Sequence, residues 1–265
     1  MRKYLVDSHC HLNYPGLYDE VSNVISEANT SGVKILQTIC TKMSEVDTLR
    51  RICNNYSNIF YSVGVHPLHS HESQIVTAPE LIKLVQSDKK IIGIGETGLD
   101  YYKASDESIL KIQRESFDNH ITAAQVTGIP LIIHTRDAES DTYDMLSNNM
   151  IKNQFSGVLH CFTGSMELAM KVVELGLYVS ASGIITFKNA DEIREVFKKL
   201  PLERILIETD SPFLAPVPYR GKANKPSYVV EVARCLSEIR DIEFDDVVKS
   251  TTRNFHTLFK RAEVI

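Results

Sequence analysis

The chain has 265 residues, 43% of them hydrophobic and 24% charged, with a formal net charge of −5. That length suits one large barrel or two smaller domains, and the composition excludes a disordered chain while allowing a sizeable buried core. The net negative charge excludes holding DNA by general electrostatics alone, so a nucleic-acid substrate would need a local basic loop or bound metal ions to offset its phosphates.

The elements follow in chain order. A short apolar run at 5–6 leads into Asp7-Ser-His-Cys-His-Leu12, and an amphipathic stretch follows at 19–30. Runs at 35–39 and 59–65 flank a second helical pattern at 44–54. The run at 91–94 opens Gly93-Ile-Gly-Glu-Thr-Gly-Leu-Asp100 and precedes a long helical stretch at 107–127. Runs at 131–133 and 157–159 end at His134 and His160, with a helical pattern at 166–174. Runs at 178–181 and 205–207 bracket a helix at 191–200, and residues 228–260 read as two more helices. Short, nearly continuous apolar runs are those of parallel strands covered on both faces. Strand and helix alternating eight times predict a (β/α)8 TIM barrel, as one domain over residues 1–265. A doubly wound sheet is the alternative, but no G-x-G-x-x-G follows the first strand.

Cys10, Cys40, Cys53, Cys161 and Cys235 form no C-x-x-C pair. Such a scattered odd set fits reduced thiols and a cytoplasmic protein. The start Met1-Arg-Lys-Tyr-Leu-Val-Asp7 lacks the apolar core of a signal peptide, and no run approaches a membrane span.

The ends of the runs carry the chemistry. They present His9 and His11, His66, Glu96, His134, His160, then Glu208 and Asp210. In a barrel these C-terminal ends converge on one mouth. Asp7, His9 and His11 share a parity, as do Ile92, Ile94 and Glu96, Ile132 and His134, and Leu206, Glu208 and Asp210, so the polar groups are expected to extend the inward-facing layers. Four His and two carboxylates exceed one tetrahedral site and suit two divalent ions roughly 3.5–4 Å apart. His9, His11 and Asp210 would hold one ion and His134 and His160 the other, with Glu96 between them. Mixed nitrogen and oxygen donors admit Mg²⁺, Mn²⁺ or Zn²⁺.

These segments, with Val63-Gly-Val-His-Pro67, Pro130-Leu-Ile-Ile-His-Thr-Arg-Asp-Ala138, Gly157-Val-Leu-His-Cys-Phe-Thr-Gly164 and Glu208-Thr-Asp-Ser-Pro-Phe-Leu-Ala-Pro-Val-Pro-Tyr-Arg-Gly221, resemble the TatD family of metal-dependent deoxyribonucleases in the amidohydrolase superfamily. The resemblance runs from Asp7 past Gly221. It implies a (β/α)8 barrel, divalent metals at His9, His11, Glu96, His134, His160 and Asp210, and DNA phosphodiester hydrolysis, often as a 3′–5′ exonuclease. The loop after His66 departs from the family: Leu68 follows Pro67 where many members carry a second His.

Other residues carry weaker expectations. His66 either contacts a phosphate or donates a proton, or is a structural His of the mouth. Asp210 can accept a proton from water. Glu208 either orients a ligand His or is a paired core carboxylate. Arg136 reaches a phosphate or pairs with Asp100. Arg220, Lys222 and Lys225 form a basic loop after the eighth run, where barrels often bind phosphate. His69 and His71 read as solvated, His120 and His256 as structural, and Cys10 and Cys161 as packing residues facing away from the metals. The substrate expected is DNA, single-stranded or at ends, with no membrane and no obligate protein partner; hydrolysis of another ester or amide, such as an aminoacyl ester on tRNA, is the alternative.

Overall fold

A computed structural model describes residues 4–104 and 106–262. The first three residues of the N-terminal segment read above lie outside them. Strands β1 (Leu5–Cys10), β2 (Val33–Thr38), β3 (Ile59–Val63), β4 (Ile91–Asp100), β5 (Leu131–Arg136), β6 (Gly157–Leu159), β7 (Tyr178–Ala181) and β8 (Ile205–Ile207) pair in that order, every neighbour parallel. Helices α1 (Val21–Thr30), α2 (Val46–Asn54), α3 (Ala78–Ser87), α4 (Glu107–Thr127), α5 (Glu139–Lys152), α6 (Met166–Glu174), α7 (Asp191–Lys199) and α8 (Val229–Arg240) separate and follow the strands, and α9 (Phe244–Leu258) ends the described chain. This is the (β/α)8 barrel, and its sequential strand order excludes the doubly wound sheet.

The barrel closes between β1 and β8 mainly through side chains. Thr209 donates to the Asp7 carboxylate from its backbone at 2.9 Å and its hydroxyl at 2.6 Å. Ser8 donates to the Ile207 carbonyl at 2.9 Å. Above these, the Asp210 amide donates to the His9 carbonyl and the His11 amide to the Ser211 carbonyl.

Two apolar layers result. Val6, Ile35, Phe60, Ile92, Ile132 and Leu206 fill the barrel interior, floored by Phe255, Leu258 and Phe259 at the end of α9. A second, larger cluster, between strands and helices, holds Cys10, Ile94, Ile133 and the inward faces of the helices. This division corrects the parity expectation. Val6 faces the interior while Cys10 packs in the outer layer, although both are even-numbered. Alternation is broken because β1 carries one extra residue between Asp7 and Cys10 relative to its β2 partners. In β4, likewise, Ile92 is interior and Ile94 outer, because β4 carries one extra residue between Ile91 and Gly93 relative to its β3 partners; the register is irregular again after Ile94. Bulges of this kind re-aim the residues that follow, and they turn His9 and Glu96 toward the mouth.

Helix limits follow from local chemistry. Asp106 accepts from the Ser108 amide at the start of α4, and Gly128, at φ 69°, ends the helix in the left-handed conformation. Thr77 and Glu80 form a capping box on α3.

Candidate metal centre

The β1–β8 seam builds one half of the mouth. His9 and His11 leave β1 on the same side, their rings edge-to-face at 5.1 Å. Asp210 adopts φ 55°, an uncommon conformation for a residue other than glycine, held by its amide bond to His9 and by the Phe213 amide donating to its carbonyl. That turn sets its Oδ1 3.2 Å from His11 Nε2 and 3.5 Å from His9 Nε2.

The other half gathers around Glu96 on β4. Gly95, at φ 139°, lets the strand press against β5: a Cβ there would lie 2.4 Å from the Ile132 carbonyl oxygen. The Glu96 carboxylate then faces two ways. Its Oε2 lies 3.5 Å from His9 Nε2. Its Oε1 lies 2.7 Å from His160 Nε2, 3.2 Å from His134 Nδ1 and 3.3 Å from His66 Nε2. Two further carboxylates hold the far sides of these rings. Asp100 Oδ2 is 3.1 Å from His134 Nε2, and Glu208 Oε1 is 3.3 Å from His160 Nδ1. Glu208 also accepts from the Cys161 amide at 2.7 Å and from Ser180.

The donor atoms form three overlapping groups whose members lie within 4.8 Å of one another: His9, Glu96 and His160; His9, His11 and Asp210; and His66, Glu96 and His134. Among the described residues, both ring nitrogens of His9 and Nε2 of His160 are buried without a partner in hydrogen-bond geometry. The 2.7 Å approach of His160 to Glu96 therefore lacks the direction of a hydrogen bond. Orphaned imidazole nitrogens converging with carboxylate oxygens in a buried site fit a divalent cation and fit little else, because an unpaired buried polar atom is costly.

The electrostatics agree. Burial alone would raise the Glu96 carboxyl, but His160, His66 and His134 outweigh it and hold the group well below the ordinary range. Asp210 is likewise lowered despite burial, by its bond from His11 and the charges of His9 and His160. Burial opposes charging of His160, yet Glu96 and Glu208 raise it well above an ordinary imidazole. Burial keeps His66 below its ordinary value even beside Glu96. Glu96 and Asp210 thus stay ionised.

The remaining predicted residues divide. His66 joins the centre, and its Nδ1 accepts from the Leu68 amide at 3.1 Å, so the neutral ring carries its proton on the Nε2 that faces Glu96. Glu208 lies against His160, Ser180 and the Cys161 amide and pairs with no Lys or Arg among the described residues. Arg136 does not pair with Asp100, which His134 occupies; its guanidinium lies over the Tyr102 ring at 3.9 Å, beside the cavity. The basic loop does not reach the cavity lining. Lys225 pairs with Glu27 of α1 at 2.7 Å, Arg220 stacks on Phe187 and donates to the Ala215 carbonyl, and Lys222 lies 6.0 Å from the Tyr219 ring. The chain turns sharply after Asp210, with Asn224 binding the Thr209 and Phe213 carbonyls, and this carries the loop toward α1.

His69, expected in solvent, lines the cavity and bonds Glu72. Cys10 packs away from the centre, donating to the Gln37 carbonyl. Cys161 lies at the cavity wall, with its thiol turned to Ser182. His120 is structural: it accepts from the Val65 amide and bonds the Ser116 carbonyl. His256 bonds Tyr4. Sequence reasoning missed Asp100, Tyr14 and Phe213. The cue for Asp100 was its place four residues after Glu96 on one continuous strand; an exposed aromatic carries no such cue. The cavity, of about 620 Å³, is of the size of a small-molecule site.

A family model described as TatD related DNase matches residues 6–260. An uncharacterized metal-dependent hydrolase of Buchnera aphidicola (from Acyrthosiphon pisum) is 41% identical, covering 97% of this chain and 99% of its own. An uncharacterized metal-dependent hydrolase of Escherichia coli K12 is 39% identical over 97% of this chain and 96% of its own. Among solved structures, the TatD homologue YjjV of Escherichia coli K12 superposes with a TM-score of 0.90 at 26% identity, over 97% of this chain and 98% of that one.

Proposed function

The chain belongs to the TatD family of metal-dependent hydrolases, and within it we propose that it cleaves DNA phosphodiester bonds with two divalent ions, as a 3′–5′ exonuclease on single-stranded or frayed ends. The observation that carries the two-ion reading is the divided Glu96 carboxylate, one oxygen toward His9 and the other toward His66, His134 and His160. His9, His11 and Asp210 would hold one ion, and His134 and His160 the other, with Glu96 shared. When bound, such a pair would supply Lewis acidity and a more acidic water.

The protein's own groups do the rest. Asp210, ionised and with Oδ1 turned to His9 and His11, keeps its second oxygen for the proton of the attacking water. Asp100 and Glu208 fix the ring orientations of His134 and His160. The His66 Nε2–H donates to a phosphate oxygen or to the leaving oxygen as charge develops there. The Arg136 guanidinium, over the Tyr102 ring at 3.9 Å and in no ion pair among the described residues, supplies the cation for a neighbouring phosphate.

One observation favours the second reading, an ester or amide such as the aminoacyl ester of tRNA. The basic loop that would clamp phosphate, Arg220, Lys222 and Lys225, lies off the cavity. The test strips the protein with a chelator and reloads it with Mg²⁺, Mn²⁺ or Zn²⁺. It is then assayed on 5′-labelled single-stranded DNA and on aminoacyl-tRNA, with metal counted by elemental analysis. Stepwise shortening from the 3′ end with two ions per chain is expected. Deacylation with intact DNA would replace the nuclease reading by the second.

A further inference from the structure

We infer that Phe213, backed by Tyr14, is the stacking platform for an unpaired base next to the scissile phosphate, and that it confers preference for single-stranded ends. The inference rests on the nuclease reading above. Phe213 follows Asp210 by three residues and is 47% exposed, a large apolar ring open to the cavity beside a charged centre. Its ring stands edge-on to Tyr14 at 5.6 Å and 85°, and to His11 at 6.0 Å and 68°. Tyr14 in turn lies 4.9 Å from His11 and is tied through its hydroxyl to Thr41 at 3.4 Å.

The platform is held in place. The Phe213 amide donates to the Asp210 carbonyl at 2.9 Å, and its carbonyl accepts from the buried Asn224 side chain at 2.6 Å. An exposed ring on a pinned backbone loses little entropy when a flat partner lies on it, and every base offers such a face. Arg136, on Tyr102, offers a cation in the lining of the same cavity. A strand whose base stacks on Phe213 would thus find a cation for a phosphate within the same cavity. A base still paired in a duplex cannot turn onto the ring without unstacking.

The test compares the metal-loaded full chain with Phe213→Ala and Phe213→Tyr. The substrates are a single-stranded oligonucleotide, the same strand ending in an abasic residue, a blunt duplex, and methyl p-nitrophenyl phosphate. Melting temperature and metal content establish that each variant is folded and loaded. Stacking predicts that Phe213→Ala lowers kcat/KM on the base-bearing single strand by about 5- to 150-fold. Loss of the terminal base should cost the wild type a similar factor and the alanine variant little more, while Phe213→Tyr restores most of the difference. Phe213→Ala discriminating base from abasic end as sharply as the wild type overturns the platform and leaves the nuclease reading standing. A wild type that hydrolyses the small diester but no oligonucleotide overturns both.

Discussion

The same eight strands end in two different chemistries. At one end of the barrel Val6, Phe60, Ile92 and Leu206 meet Phe255 of α9 and Phe259 just beyond it in an apolar floor. At the other, His9, Glu96, His160 and Asp210 crowd into a mouth with unpartnered buried nitrogens. Floor contacts are numerous, non-directional and each replaceable in kind. Mouth contacts are few and directional, and they are held by second carboxylates such as Asp100 and Glu208. The contrast assigns stability to the floor and chemistry to the mouth, the division usual for this fold.

Substitution at each end breaks that comparison most directly. Phe255 is 1% exposed, and its ring lies tilted against that of Phe259 at 4.9 Å. Phe255→Ala should lower unfolding free energy by about 3–5 kcal/mol in a chemical melt, while isothermal titration of the folded protein finds metal affinity unchanged. Weakened metal binding in the folded variant would couple floor to mouth and undo the division. Glu96→Ala should do the reverse. Turnover should fall by at least about 10²–10³, as for other pre-organised electrostatic groups, and one or both ions should be lost in elemental analysis. Near-normal activity and metal content would overturn the proposed sharing of Glu96 by two ions.

The comparison sharpens at His120, buried in α4, which accepts from the Val65 amide next to His66. Burial, only partly offset by its bond to the Ser116 carbonyl, pushes this imidazole down from 6.5 to about 4. The folded state therefore keeps it neutral, while the unfolded chain takes up a proton below 6.5. Its stabilising contribution is complete above that pH and is lost as pH falls toward about 4, by ~3 kcal/mol in all. Thermal melts across this window should decline less steeply for His120→Gln than for the wild type. Equal declines would show that the proton is taken up elsewhere.

The smallest effect tests how the mouth is held. Asp100→Asn keeps shape but weakens the grip on His134, so metal affinity should fall by about 10–100-fold with the melting temperature of the metal-free protein nearly unchanged. A variant that melts much lower without metal would mark Asp100 as a structural residue of β4.

Much of this was legible in the chain. Eight apolar runs separated by helical patterns give the barrel, because strands covered on both faces need no alternation and helices need a periodic face. The placing of His, Glu and Asp at the run ends gives the mouth, because all strands of a barrel point the same way. Tertiary structure decided what depends on neighbours far along the chain. The bulges of β1 and β4 reversed the side-chain alternation, since register is set by the partner strand and not by the strand itself. Asp100 found His134 only because β4 and β5 lie side by side in the sheet. The basic loop missed the cavity because Asn224 and Glu27 draw it toward α1. Composition and spacing determine which chemical groups arrive at one end of the barrel; the packing of backbone against backbone decides which atoms face each other there.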